Sequence, residues 1–160
     1  LHTTIEDFTP ELQPCTLASF VSLFVPADVI AELGLPIKDF FIWTDDWEFT
    51  RRVSRVHPCY VVGTSVVTHK CKVNGAGNIA LDSGERIGRF RLAYRNDIVL
   101  YRGEGLAGYA YVIARDLNHL VRIVLEAKGR KLERARAVVG GTLEGLHFHP
   151  QIEYVRRPEK

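Results

Sequence analysis

The residues best suited to chemistry stand together in Phe40-Phe41-Ile42-Trp43-Thr44-Asp45-Asp46-Trp47-Glu48-Phe49-Thr50-Arg51-Arg52. On a helix, the adjacent carboxylates Asp45 and Asp46, with Glu48 half a turn on, concentrate three acids in a small volume. Such a cluster suits a general base, a divalent cation or hydrogen bonds to a polyol. Trp43 and Trp47, the two tryptophans of the chain, flank it, and aromatic rings beside carboxylates make a sugar-binding surface. Each part also has a structural use: acids at a helix start complement the helix dipole, and Glu48–Arg52 is an i,i+4 ion pair. His69 is the second candidate. It ends the β-type run Ser65-Val66-Val67-Thr68, where an imidazole can ligate a metal. His147 and His149 share one side of an extended segment and form a further candidate metal pair. His57 and His119 read as a helix-end and a helix-face residue.

The elements that must position these groups follow from periodicity and punctuation. Thr44 or Asp45 can cap a helix that runs to about Val56, with Arg51, Arg52 and Arg55 towards its end and Pro58 beyond. Upstream, residues 1–14 read as an irregular leading segment, and the β-branched and aromatic run 17–25 predicts a buried strand. Pro26 and Gly34 bracket a short helix from Ala27 to Leu33. Downstream, Cys59–Val62 and Ser65–His69 predict two short strands around Gly63-Thr64. Residues 72–84 are loop-like in composition.

From Glu85 the period becomes helical. Ile87, Phe90, Tyr94, Ile98 and Tyr101 form one apolar stripe, and Leu106, Tyr109, Ala110, Ile113, Leu117, Leu120, Val121 and Val124 form a second. A third helix, Leu132 to about Leu146, is interrupted by Gly140-Gly141. Ile152 to Val155 predicts a last short strand.

The chain has 160 residues, 46% hydrophobic and 25% charged, an ordinary globular composition that excludes a disordered tail, a collagen and a disulfide miniprotein. Its size lets it bury a core without metal or disulfide. Cys15, Cys59 and Cys71, an odd number without C-x-x-C spacing, suit reduced thiols in a cytoplasmic protein. No apolar run approaches the roughly 20 residues that span a bilayer, and no signal-peptide pattern is visible. A chain that opens on Leu1 and holds no methionine is expected to be a piece of something longer.

The net charge of +2 conceals an asymmetry. Residues 1–50 hold one cation and nine acids, a net of −8, whereas residues 85–136 hold 12 cations and six acids, a net of +6. A basic helical half suggests anionic lipid headgroups, a lipid-linked pyrophosphate or nucleic acid as a neighbour. The chain has no G-x-G-x-x-G, Walker loop, G-x-S-x-G, H-E-x-x-H or zinc-type cysteine spacing. It also lacks a separate D-x-D.

The run ASFVSLFVPADVIAELGLPIKDFFIWTDDWEFTRRVS, followed by YVVGTSVVTHK, resembles the second half of the catalytic domain of family 2 glycosyltransferases. It is most similar to their rhamnosyltransferase and galactofuranosyltransferase branch. The match covers roughly residues 17–70, and AYRNDIVLYR with the helices after it resembles the family's C-terminal helical region. The resemblance implies an α/β fold: part of a GT-A nucleotide-sugar transferase sandwich over residues 1–84, then a bundle of about three amphipathic helices over 85–160. It implies Asp46 as catalytic base, Asp45, Glu48, Trp43 and Trp47 at the acceptor sugar, and His69 as ligand of a divalent metal, Mg2+ or Mn2+, on the donor pyrophosphate. The donor would be a UDP- or dTDP-sugar and the acceptor a glycan or lipid-linked glycan. The reaction would be inverting transfer in cell-surface polysaccharide synthesis, in the cytoplasm or peripherally on the inner face of the cell membrane. Contact with anionic lipid and homo-oligomerisation fit this picture, and nucleic acid does not. With no D-x-D half, the chain is expected to be a C-terminal piece, inactive alone. Two other readings use the same residues: a non-catalytic helical interaction or oligomerisation module, and a metal-dependent phosphodiesterase built on the acidic cluster and His69.

Overall fold

The computed structural model describes residues 11–70 and 77–155. The chain divides into two compact units: residues 1–37, 46–74 and 152–160 form the first, and residues 38–45 and 75–151 the second. Among the described residues there are five α-helices and one two-stranded sheet.

In the first unit, β1 (Leu12–Pro14) pairs antiparallel with β2 (Tyr60–Val62), Leu12 opposite Val62 and Pro14 opposite Tyr60. Hydrogen bonds from Gly63 N to Glu11 O (3.0 Å) and from Cys15 N to Cys59 O (2.9 Å) extend the ladder at both ends. Pro14 therefore falls at a position whose missing N–H removes no ladder bond. Helix α1 (Ala27–Leu33) starts after Pro26 and stops at Gly34, whose φ of 83° favours glycine. A β-carbon there would also overlap the Ile152 side chain. Helix α2 (Asp45–Ser54) buries Phe49 and Val53 against Val29 of α1, with Leu23, Val25 and Cys59 around them. Arg52 clamps α1 from α2. It donates to the carbonyls of Leu33 and Leu35, the latter at 3.1 Å, and is held by both oxygens of Glu48 at 2.9 and 3.0 Å. A cation at the helix C-terminus satisfies carbonyls that the helix itself leaves unpaired.

The second unit is a three-helix packing of α3 (Ile87–Arg102), α4 (Gly105–Glu126) and α5 (Lys131–His147). Ile87, Phe90, Tyr94, Ile123, Ala137 and Val138 form its core, with Ile79 and Ala80 inserted from the preceding loop. Buried Arg134 fixes that loop by donating to Ile79 O and to Asp82 O (2.8 Å). Helix α5 lies tightly on α3 because Gly141 and Gly145 present bare backbone to it. A β-carbon on Gly141 would overlap the Arg91 carbonyl oxygen, and one on Gly145 would sit 2.6 Å from Arg95 O.

These elements correct the expected fold. An α/β sandwich of the GT-A type requires a multi-stranded sheet between helices, and the described residues carry a single pair of three-residue strands. The run 17–25 is irregular, with Ser22 at φ 63° and Phe24 exposed, because no strand lies beside it to complete its backbone hydrogen bonds. Ser65–His69 is also irregular, so β2 pairs with β1 rather than in a local hairpin. Residues 77–84 are a loop, as their composition predicts, with Ile79, Ala80 and Asp82 buried, whereas Ile152–Val155 is not a strand, although Glu153 O accepts from Leu35 N at 2.8 Å. Gly140-Gly141 lies within an uninterrupted α5. Most of the apolar stripe of α4 is exposed, with Tyr109 and Leu120 half-buried, and Gly108, Val112, Asp116 and Ile123 are the buried residues of the helix. Cys71 and the first residues of the expected 72–84 loop lie outside the described residues.

The two neighbouring glycines of α5 are expected to respond oppositely to alanine. A β-carbon on Gly140 meets only the Arg91 guanidinium at 3.8 Å, so Gly140→Ala should gain about 0.5–1 kcal/mol of helix stability. Gly141→Ala should lose about 1–3 kcal/mol through overlap with α3. Urea unfolding of both variants checks this, and equal responses would show that α5 does not rest on α3 through Gly141.

Candidate functional site

The chain before the acidic pair is held in a conformation that its residues disfavour. Phe41, Trp43 and Thr44 all have positive φ, at 63°, 63° and 68°, a region that costs a non-glycine residue roughly 1–2 kcal/mol. Ile42 N donates to Phe40 O at 2.7 Å, closing a three-residue turn around Phe41, and with positive φ at its centre this is the strained form of the γ-turn.

Consecutive residues of α3 supply the compensation. Arg95 donates to Asp39 O at 2.7 Å. The Asn96 side-chain amide, fully buried, donates to the carbonyls of Phe40 (3.0 Å), Ile42 (3.3 Å) and Trp43 (3.0 Å). Asp97 accepts the Thr44 hydroxyl at 2.7 Å. Phe40 is buried, and Trp43 packs on Phe90 with ring centroids 4.9 Å apart.

Behind Asp97 runs a closed polar network. Arg115 of α4 bridges Asp97 and Asp116, the latter at 2.8 Å, and Asp116 accepts from the Thr142 hydroxyl of α5 at 2.6 Å. Burial lifts the Asp97 carboxyl above its ordinary value against the pull of Arg115, and the two carboxylates together hold Arg115 charged despite its own burial. Beside them the Tyr94 hydroxyl lies 2.7 Å from His119 Nδ1. Burial and Arg115 lower the His119 pKa, which favours the neutral imidazole in this contact. Among the described residues no buried side-chain nitrogen or oxygen is left without a partner. A network partnered in this way holds backbone in place.

The sequence-derived site residues are divided between the two units. Asp45 ends the segment tied to α3, and Asp46 follows it in the first turn of α2. Asp46 Oδ1 accepts from Trp47 N at 2.9 Å, and Trp47 is exposed. Glu48 is engaged by Arg52, and Trp43 is engaged by Phe90. His69 is exposed in the irregular stretch after β2. Among the described residues no three His, Cys, Asp or Glu side chains come close enough to hold a metal ion. The residues present therefore do not fit a divalent cation by themselves, and His69 would bring one ligand to it.

A separate apolar cavity of about 450 Å3 opens in the first unit under residues 15–26, lined by Leu17, Leu23, Val29, Phe49, Val53 and Tyr60. The sequence reading missed both this cavity and Asn96. The available signal for Asn96 was Arg95-Asn96-Asp97, three polar residues in the middle of a helix otherwise patterned for burial. No family model, curated protein or solved structure matches the chain.

Asn96→Leu keeps the number and branching of the side-chain heavy atoms and removes the donor to three carbonyls. It is expected to cost about 2–4 kcal/mol in urea unfolding. A loss below about 0.5 kcal/mol would mean that water replaces the amide without penalty.

Proposed function

We propose that this chain is the acceptor-side part of an inverting glycosyltransferase, which moves a sugar from a nucleotide-sugar to a glycan or lipid-linked glycan with Asp46 as the base. The observation that carries the proposal is the strained backbone at Phe41, Trp43 and Thr44 directly ahead of the acidic pair. Residues in such conformations cluster at active sites and ligand clamps, where the surrounding structure over-determines them. Here the surrounding residues are Arg95, Asn96 and Asp97.

In this reading the Trp47 amide orients the Asp46 carboxylate through Oδ1, and Oδ2 takes the proton of the acceptor hydroxyl. The hydroxyl oxygen then attacks the anomeric carbon, the bond from that carbon to the diphosphate oxygen breaks, and nucleoside diphosphate leaves with the electron pair. In-line attack inverts the anomeric configuration. Asp45 would take a second acceptor hydroxyl, and exposed Trp47 would offer a ring face to the sugar. Glu48 holds Arg52 on α1 and keeps α2 in place. The elements that would bind the nucleotide are not among the motifs of these residues, so this chain alone should not turn over.

The test is release of nucleoside diphosphate from UDP- and dTDP-sugars, with glycan acceptors, by a transferase that contains this chain together with a nucleotide-binding part. Asp46→Asn is expected to lower turnover by about 100-fold or more, in line with loss of a general base. Glu48→Gln should keep most of the turnover and unfold more easily. Full turnover in Asp46→Asn would refute the reading.

A further inference from the structure

The outward face of α4 carries a heptad-spaced apolar stripe, of which Leu120 alone leans on the core of its own unit. Leu106, Ala110, Ile113, Leu117, Leu120 and Val124 alternate at spacings of four and three, the a/d pattern sustained over nearly three heptads. Leu106 is 89% exposed and Leu117 58%. The opposite face packs inward instead, through Arg115, Asp116 and the network with Asp97 and Thr142. Helix α5 repeats the pattern beside it: Leu132, Val139, Leu143 and Leu146 follow heptad spacing and are all exposed. The two seams border one shallow groove, where Ile113, Leu117 and Leu120 meet Val139 and Leu143. A linker of four residues, Ala127–Arg130, joins the helices into a hairpin that shows both seams on one side.

We propose that this face is the dimer interface of the protein, and that its occupant is the same hairpin of a second copy, the two closing into a four-helix bundle around a two-fold axis. Two observations select a second copy. The first is area: leaving out half-buried Leu120, the eight exposed large apolar side chains of the two seams, at roughly 100 Å2 each, present about 800 Å2, above the largest patch of an ordinary monomer and equal to one side of a standard stable interface. The second is self-complementarity. Set antiparallel against itself, the α4 seam places Leu106 opposite Val124, Ala110 opposite Leu120 and Ile113 opposite Leu117, so a larger side chain meets a smaller one in the outer pairs and two of equal size meet at the centre. Ala107 and Ala114 flank the seam without bulk or charge, which lets two backbones approach. An isologous two-fold contact requires such a surface, matched to itself.

Sedimentation velocity of the intact chain from low to high micromolar concentration tests this. The expected mass is twice 18.1 kDa, with an association unweakened by salt because the contact is apolar. Leu117→Glu should raise the dissociation constant about tenfold or more by placing a charge at the centre of the seam. Leu117→Glu combined with Leu143→Glu should give monomer. Leu117→Met and Arg89→Glu, a conservative change and one away from the face, should leave the dimer intact. Leu117, Leu143 and Arg89 are all exposed within one chain, so far-ultraviolet circular dichroism should stay unchanged in every variant. A wild-type chain that remains monomeric would leave the seam to a different polypeptide and overturn the proposal. So would a doubly substituted chain that still sediments as a dimer.

Discussion

One buried amide restrains the backbone that leads into the acidic pair. Asn96 donates to three carbonyls of a segment whose φ angles alone would favour a different path. Its neighbours extend the grip, Arg95 one residue before Phe40 and Asp97 one residue after Trp43. Three successive side chains of a helix point in different directions, so they can follow a tight turn laid across that helix only if the turn is itself compact. The left-handed residues make it compact. The strain at Phe41, Trp43 and Thr44 and the polarity of Arg95-Asn96-Asp97 are two halves of one arrangement.

That arrangement depends on where α3 sits, and α3 is set by backbone contact with α5 through Gly141 and Gly145 and by the ion network that draws α4 inward. Most arginines of the basic half serve this framework. Arg86 pairs with Asp82, Arg91 and Arg95 with Glu144, Arg122 with Glu126 and Arg130 with Glu133. Arg102 closes the C-terminal carbonyls of α5, and Arg134 pins the loop before α3. A charge count implies a basic surface, but much of that charge is paired, across helices at Arg91, Arg95 and Arg115 and locally at Arg86, Arg122 and Arg130. No helix among the described residues is long and apolar enough to cross a membrane.

The sequence was legible where one residue type decides the local outcome. Pro26 and Gly34 delimited α1, and the acid-to-base order of Asp45 through Arg52 marked α2. The stripe from Ile87 to Ile98 marked the buried face of α3. It misled where burial depends on a partner elsewhere in the chain. Residues 17–25 and 65–69 have strand composition but no neighbouring strand, and Leu12–Pro14 became a strand because Tyr60–Val62 lies beside it. The α4 stripe was legible as a stripe, but most of it is exposed. Periodicity reports which residues share a face, not what covers it, and Asp116 and Arg115 outweighed the leucines in choosing the inner side. In the acidic run, Asp45, Asp46 and Trp47 remain candidates for chemistry, while Glu48 and Trp43 have structural partners that residue types alone did not reveal.

The most direct measurement concerns the strain itself. Phe41 is 83% exposed at φ 63°, so replacing it with glycine removes almost no packing and relieves a disfavoured conformation. Net of the extra freedom glycine gives the unfolded chain, Phe41→Gly should be more stable by about 0.5–1 kcal/mol and melt roughly 2–4 °C higher. A lower melting temperature would contradict the claim that this backbone is held against its own preference.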